Sequence, residues 1–248
     1  MHIDRPYKRI CRPFADGNYI RSLQSFYVTD RRYAQDHVDF IRAYHLLEAE
    51  LKRIFDFVEP ADANLSCYSH QLYALLLRAS TEFESNAKAV LTANGYSSNR
   101  NLNITDYHKL DAAMRLSDYT VTVPIWTGQR RRIAPLQEWR SSPTLSWYQS
   151  YNASKHDRAL NFKHASLENA LLAVSAVFCL LFAQFSILAF DPTHPVSSYV
   201  VGDDDSVWSH EACLLGIEPP STWLTHEMYE FDWHTLALSP DAFQAYNF

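Results

Sequence analysis

The chain has 248 residues, 47% of them apolar and 14% aromatic, so it is long enough to bury one substantial core. Its formal net charge of −6 argues against a bulk coating of nucleic acid, because neutralising many phosphates requires an excess of lysine and arginine. Only five glycines are present, which favours helices over a β fold that turns at glycines.

The charges are divided unequally along the chain. All 22 lysines and arginines lie at or before Lys163, and the residues after it carry eleven carboxylates. A local basic surface on the first part is therefore compatible with the acidic total. The four cysteines form no CxxC pair and the first residues form no apolar signal segment, so we expect reduced thiols and a cytoplasmic protein.

The first part of the chain predicts an irregular arm, two long helices and a small β-hairpin. Residues 1–35 mix proline, aromatic and basic residues with weak periodicity. Apolar residues at helical spacing predict helices over 36–58 and 69–94, and a short helix with Thr105 as its N-cap should follow. β-branched alternation predicts a strand over 119–126, which returns after a T-G-Q turn as a second strand.

Helices over 143–157 and 166–189 complete the predicted bundle. The second contains 21 residues, from Ala170 to Phe190, without a charged side chain, which is long enough to span a membrane. A helix that is apolar on every side is also typical of the centre of a helical bundle. We favour the buried core helix, because Ser175, Gln184 and Ser186 dilute the segment, and keep a single-pass membrane protein as the alternative.

We therefore expect a mainly α fold, with a bundle domain and arm over 1–190 and an acidic, aromatic C-terminal extension over 191–248. The extension is rich in breakers but too aromatic for simple disorder. It should be irregular and pack on the bundle, bringing Asp203–Asp205 or Glu227–Asp232 near basic surface and masking Arg130–Arg132 or Arg158. Most of the docking energy should come from burial of three tryptophans, Trp208, Trp223 and Trp233.

The stretch from Tyr151 to Arg158 concentrates side chains that can bind anions or transfer protons. Residues three or four apart share a helix face, so Asn152, Lys155 and His156 should cluster, with Tyr151 beside Lys155 and Arg158. A neutral histidine among cations suits a general base, and the cations can stabilise an anionic transition state. The alternative is a helix end whose cations cap carbonyl groups and interact with the helix dipole.

A second candidate is the run Arg130, Arg131 and Arg132, which has tryptophans nearby. Basic groups interleaved with aromatic rings can hold single-stranded nucleic acid. The alternatives are a solvated hairpin or pairing with the acidic extension of the same chain. The sequence contains no H-E-x-x-H, Walker A, G-x-G-x-x-G or G-x-S-x-G motif, so we expect neither a metal nor another cofactor.

The pair Asn152 and His156 ahead of a final long helix resembles the N-x-x-x-H of the HEPN superfamily, which includes prokaryotic toxins, defence proteins and RNA-processing factors. The usual motif there is R-N-x-x-x-H, and Tyr151 occupies the arginine position here. Arg158 and His164 give a second register, R-x(5)-H. The segment Y-N-x-x-K-H-D-R also resembles a group of bacterial proteins over roughly residues 36–190, a likeness that implies a fold and no activity.

Glu84 and Lys88 match an E-x-x-x-K pair that some HEPN proteins carry on an earlier helix, although such a pair stabilises any helix. The resemblance implies a dimeric, metal-independent ribonuclease of a defence or toxin–antitoxin system, with His156 as general acid and base. Arg158 or Lys155 would stabilise the phosphate, near Asn152 and Tyr151. Substrate contacts would come from a further set: Glu84, Lys88, Arg130, Arg131, Arg132 and His164.

The implied partners are RNA or another anionic ligand, a second copy of the chain, and an antitoxin or other partner protein. Tyr151 in place of arginine discriminates against catalysis. The alternative is therefore a non-catalytic interaction or ligand-binding module on the same helical fold.

Overall fold

A computed structural model describes residues 2–190, 199–201, 208–210 and 214–248. Its helices are α1 (His37–Phe55), α2 (His70–Ala93), α3 (Ile104–Tyr107), α4 (Lys109–Met114), α5 (Ser146–His156), α6 (Arg158–Asn161), α7 (Leu167–Phe185) and α8 (Trp233–Leu236). Its strands are β1 (Thr120–Thr122), β2 (Arg132–Ile133), β3 (Tyr199–Val201), β4 (Trp208–His210) and β5 (Gly216–Glu218).

The four long helices α1, α2, α5 and α7 form the bundle, with α7 in contact with the other three. The fold is therefore mainly α, as predicted, and each of the four predicted long helices is present with ends shifted by a few residues. Periodic burial explains α1, whose buried side chains recur every three or four residues: Ile41, Tyr44, Leu47, Glu48, Leu51 and Ile54.

Helix α7 is the central core helix of the bundle. Every residue from Ala173 to Phe185 is buried. Within the described residues it is the one helix long and apolar enough to cross a membrane, and 83% of its most apolar stretch is buried inside the protein. Its polar Gln184 is satisfied internally, since the amide donates to Asn86 Oδ1 at 3.0 Å and accepts from Arg9 Nη1 at 3.2 Å.

The predicted hairpin is present but belongs to a larger antiparallel sheet of order β2-β1-β5-β4-β3. Val121 of β1 pairs with Ile133 on one side and with Ile217 of β5 on the other. Strand β1 ends at Thr122 rather than extending to residue 126. Pro124 has no N–H to donate, and the Trp126 amide closes a turn on the Val123 carbonyl at 2.9 Å.

Two predicted helix starts were wrong. The N-cap of α3 is Asn103, not Thr105, because Asn103 accepts from Thr105 N at 3.0 Å while Asp106 accepts from Asn103 N at 2.9 Å. This reciprocal arrangement satisfies two helix-end donors at once. Helix α5 begins at Ser146 rather than at residue 143. At this start the Glu138 carboxylate accepts from the Ser146 amide at 2.6 Å.

The described part of the C-terminal extension packs against the N-terminal arm. Tyr229 forms isolated parallel bridges to Ile3 and Phe14, and its buried hydroxyl donates to the Ile10 carbonyl at 2.8 Å. The extension also includes strands and the short helix α8, so it is not wholly irregular. The division of the chain at residue 190 stays a prediction.

Burial of aromatic side chains accompanies this packing. Trp223 and Trp233 are each 8% exposed and belong to the same core as the bundle. The predicted burial concerns the side chain of Trp208, a residue of which only the backbone in β4 is described, and the predicted placement of Asp203–Asp205 lies outside the described residues. The carboxylates expected near basic surface include Glu227, which pairs with Arg115 at 2.6 Å.

Candidate functional site

Helix α5 carries most of the predicted site residues, and its buried face is aromatic. Trp147, Tyr148, Tyr151 and Ser154 are buried, which corresponds to the side of α5 that meets α2 and α7. Tyr151 is 1% exposed. Tyr151 is therefore a core residue, closed to a ligand in solution.

Tyrosines link α5 to the predicted pair on α2. The Tyr148 hydroxyl donates to Glu84 Oε1 at 2.6 Å, and Glu84 lies 3.7 Å from Lys88 Nζ. Burial and the bond to Glu84 raise the pKa of Tyr148 far above its ordinary value. Lys155 Nζ donates to the Tyr151 hydroxyl at 2.9 Å, which raises the pKa of Lys155. These hydrogen bonds join α5 to α2 and hold Tyr148 and Lys155 in place on α5.

His156, Asn152 and Arg158 lie outside this cluster. Helix α5 ends at His156, and Asp157 caps the next helix by accepting from Leu160 N at 3.2 Å, so Arg158 belongs to α6. Among the described residues, no hydrogen bond or ion pair joins His156, Asn152 or Arg158 to Tyr151. The catalytic roles given to these residues stay predictions.

The exposed cations around the end of α5 form a surface of their own. We call Lys155, His156, Arg158, Lys163 and His164 the basic surface; all five are exposed. Within the described part of the chain, none of them makes an ion pair. The one acidic residue in this stretch of ten, Asp157, is occupied as the cap of α6. Lys155, Arg158 and Lys163 outnumber the Asp157 carboxylate, so the basic surface carries a net positive charge.

Aromatic rings adjoin the basic surface. Phe162 lies under the guanidinium of Arg158 at 6.0 Å and contacts the rings of Tyr68 at 5.4 Å and His70 at 4.7 Å. Tyr68 is 51% exposed. The sequence analysis missed Tyr68 and His70, because they lie ahead of α2 and at its start, about ninety residues from Phe162. No local pattern signals that contact.

Arg130 and Arg132 of the hairpin line a separate cleft of about 610 Å³ near the start of α5, and Arg131 does not. Arg130 pairs with Glu168 at 2.6 Å, and Arg132 pairs with Glu218 of the extension. Arg131 is exposed. The predicted masking by the extension thus involves Arg132, whereas the carboxylate on Arg130 comes from α7. Arg158 pairs with no described carboxylate of the extension.

The turn before Arg130 is fixed by Asp62. Its carboxylate accepts from Trp126 Nε1 at 2.8 Å, Gln129 N at 2.7 Å and Arg130 N at 3.1 Å. The Trp126 and Gln129 bonds lower the pKa of Asp62. Gly128 is required here, since its φ is +126° and an added Cβ would lie 2.5 Å from Asp62 Oδ2.

Within the described ranges, no group of three or more histidine, cysteine, aspartate or glutamate side chains is placed to hold a metal ion. Comparisons with protein-family models, curated proteins and solved structures found no match for this chain.

Proposed function

We propose that this protein is a binding module for single-stranded RNA and that the basic surface holds the RNA. The observation that carries the proposal is the absence of carboxylate partners for its five side chains within the described residues. Paired arginines such as Arg78, Arg130 and Arg140 occur on other surfaces. The basic surface differs from the remaining unpaired cations of the described residues in gathering five basic side chains within ten residues. Unpaired cations are the ones that can exchange their counterions for phosphates.

The aromatic rings beside the basic surface favour single-stranded RNA over duplex RNA as the ligand. Tyr68 and Phe162 present aromatic faces next to Arg158, and an unpaired base can stack on such a face for roughly 1–3 kcal/mol. A duplex keeps its bases stacked inside and could use only the charges. The arrangement therefore suits a flexible strand whose phosphates contact the cations while its bases contact the rings.

A ribonuclease is the second candidate function. It is favoured by the exposed position of His156, two residues from Arg158, since an accessible imidazole beside a cation is what phosphate-ester cleavage needs. In this proposal, a second copy of the chain supplies the groups that orient His156, as the HEPN likeness implies. Tyr151 argues against a ribonuclease, because it stands where the R-N-x-x-x-H motif has its arginine.

The binding experiment measures the anisotropy of a fluorescent oligouridine at several salt concentrations. The triple variant Lys155→Gln/Arg158→Gln/Lys163→Gln should bind more weakly, and the slope of log K against log salt should fall by about 2, or about 0.7 per lost phosphate contact. Tyr68→Ala should weaken oligouridine binding but leave duplex binding unchanged.

The matched control is Arg42→Gln/Lys52→Gln/Lys109→Gln, which removes the same charge from exposed residues on α1 and α4. It should leave the slope unchanged. Equal losses in the two triple variants would show that only net charge matters and would end the proposal of a defined RNA surface.

Cleavage is tested on the same RNA with a chelator present. A ribonuclease of the proposed kind yields products ending in a 2′,3′-cyclic phosphate. His156→Ala abolishes these products, while its loss of oligouridine affinity stays smaller than that of the triple variant of the basic surface. Intact RNA after long incubation with wild-type protein would exclude the second candidate and leave the binding module.

A further inference from the structure

A second pocket lies where the N-terminal arm meets the start of α1. It has a volume of about 380 Å³ and four basic side chains in its lining. We call it the arm pocket and define it by the residues used below: Lys8, Arg9, Arg31, Arg32 and Asp36. It shares no residue with the basic surface or with the cleft near α5.

Arg9 stands in a backbone conformation that side chains rarely adopt. Its φ is +57°, in the left-handed region, where a residue other than glycine is held only by its surroundings. Backbone hydrogen bonds hold the chain before and after Arg9. Lys8 N donates to the Gln244 carbonyl at 3.1 Å, and Cys11 N donates to the Ala183 carbonyl at 2.7 Å. The fold thus fixes Arg9 at the base of the arm pocket despite the strain.

The guanidinium of Arg9 is buried, yet some of its N–H groups have no acceptor among the described residues. Arg9 is 6% exposed, and its guanidinium lies 5.5 Å from the Phe40 ring centre. Among the described residues its side chain donates to Gln184 and Asp36. A guanidinium has five N–H donors, so donors remain beyond these two contacts. Because Arg9 itself is buried, its guanidinium attracts an anion that reaches it more strongly than a fully solvated arginine would.

The remaining charges of the arm pocket are mostly positive. Arg32 is occupied by Asp30 and by two carbonyls of the extension. In the described part of the chain, neither Lys8 nor Arg31 makes an ion pair. Against Lys8, Arg9 and Arg31 stands one carboxylate, Asp36, whose side chain is 44% exposed. The pocket therefore has room and charge for a further anion.

We infer that the arm pocket binds the phosphate group of a small soluble molecule, such as a nucleotide or a sugar phosphate. Arg9 contacts the phosphate from below with a fixed guanidinium, whose planar fork matches two phosphate oxygens. Lys8 and Arg31 close over it from the rim. The volume exceeds what one phosphate needs, which leaves space for the rest of the ligand. This site is independent of the proposed RNA surface.

The test is calorimetric titration of the full chain with pyrophosphate and with AMP. Both probes should bind the wild-type protein with dissociation constants below about 1 mM. Lys8→Gln/Arg31→Gln should weaken binding at least about tenfold, since two charge-assisted contacts are lost. Asp36→Asn should instead strengthen it about threefold, because it removes the one opposing charge from the pocket.

Two controls keep the result specific. Lys52→Gln/Lys109→Gln removes the same charge elsewhere and should bind pyrophosphate like the wild type. The triple variant of the basic surface should also keep pyrophosphate binding, so failure of the RNA proposal would leave this one standing. The inference is overturned if wild-type protein binds neither probe, or if the two double variants lose equal affinity.

Discussion

At the contact between the N-terminal arm and the C-terminal extension, arginines are enclosed by their partners, whereas along residues 155–164 the basic side chains are exposed and make no ion pair within the described residues. Arg12 is 4% exposed and donates twice to the Ala113 carbonyl, at 2.9 and 2.7 Å, and once to that of Glu227 at 3.2 Å. Arg158, by contrast, is exposed and rests on the Phe162 ring.

The difference teaches that the surroundings of a cation decide its use. Rings of Tyr7, Trp223 and Tyr246 lie within 5.5 Å of the Arg12 guanidinium, so this charge joins the arm to the extension. The cations of the basic surface stabilise nothing comparable and remain available to a ligand. Arg12 and Arg158 each contribute one positive charge, so net charge cannot distinguish their roles.

The largest expected effect is on stability. Arg12→Ala leaves a buried carbonyl without its donor and empties the space among the rings, so we expect a loss of about 3 kcal/mol in the free energy of unfolding. Arg158→Ala should change it by about 0.5 kcal/mol or less, as for most surface substitutions. Urea denaturation followed by circular dichroism measures both values. Similar losses for the two variants would break the comparison.

An effect of intermediate size is expected at the turn before Arg130, which hydrogen bonds to the Asp62 carboxylate hold in place. The pKa of Asp62 lies below its ordinary value of 3.8, chiefly through the Trp126 bond, so the folded state favours the charged carboxylate. The resulting stabilisation is present above pH 3.8 and is lost as the pH falls through the lower, folded pKa. We expect the Trp126 indole NMR resonance to shift in that acidic window.

Asp62→Asn is the control for this titration. It carries no titrating group, so the Trp126 resonance should stay constant over the same pH range. A wild-type resonance that follows global unfolding instead, together with all other indole signals, would contradict local fastening by Asp62.

The smallest expected effect converts a paired cation into a free one. Glu168→Gln removes the carboxylate partner of Arg130, which lies in the cleft near the start of α5. If pairing is what withholds a cation from RNA, oligouridine affinity should rise about twofold, in line with the modest energy of exposed pairs. Glu230→Gln makes the same charge change beside Arg21, in the arm contact. A rise of equal size in Glu230→Gln would assign the gain to net charge alone.

Periodicity predicted the bundle because the core of this fold is helical and its burial repeats locally. The spacing of Ile41, Tyr44, Leu47 and Leu51 specifies the buried face of α1 without reference to any other element. Strand β5 escaped prediction because three residues, G-I-E, form it only by pairing with β1, almost a hundred residues earlier. Thr105 was misassigned as N-cap because two capping residues, Asn103 and Thr105, lie two positions apart, and the bond from the Asn103 amide to Asp106 selects Asn103.

The sequence was less informative about the site, for the same reason. Helical spacing placed Tyr151 beside Lys155 correctly, since that contact is local. It could not show that Tyr151 faces the core, because the direction of a side chain depends on where α2 and α7 pack. Nor could it join Glu84 to Tyr148, or reveal that Arg9 has a left-handed backbone.

The parallel bridges between the arm and the extension have a consequence for biosynthesis. Ile3, Tyr7 and Phe14 find their partners at Tyr229 and Gln244, more than two hundred residues later. While the ribosome is still making α7, these bridges cannot form, and the Phe14 side chain, which ends up fully buried against Phe231, lacks that partner. Such late, distant closure is slow and exposes nascent chains to aggregation. The synthesis of residues 229–244 therefore determines when residues 3–14 complete their pairing.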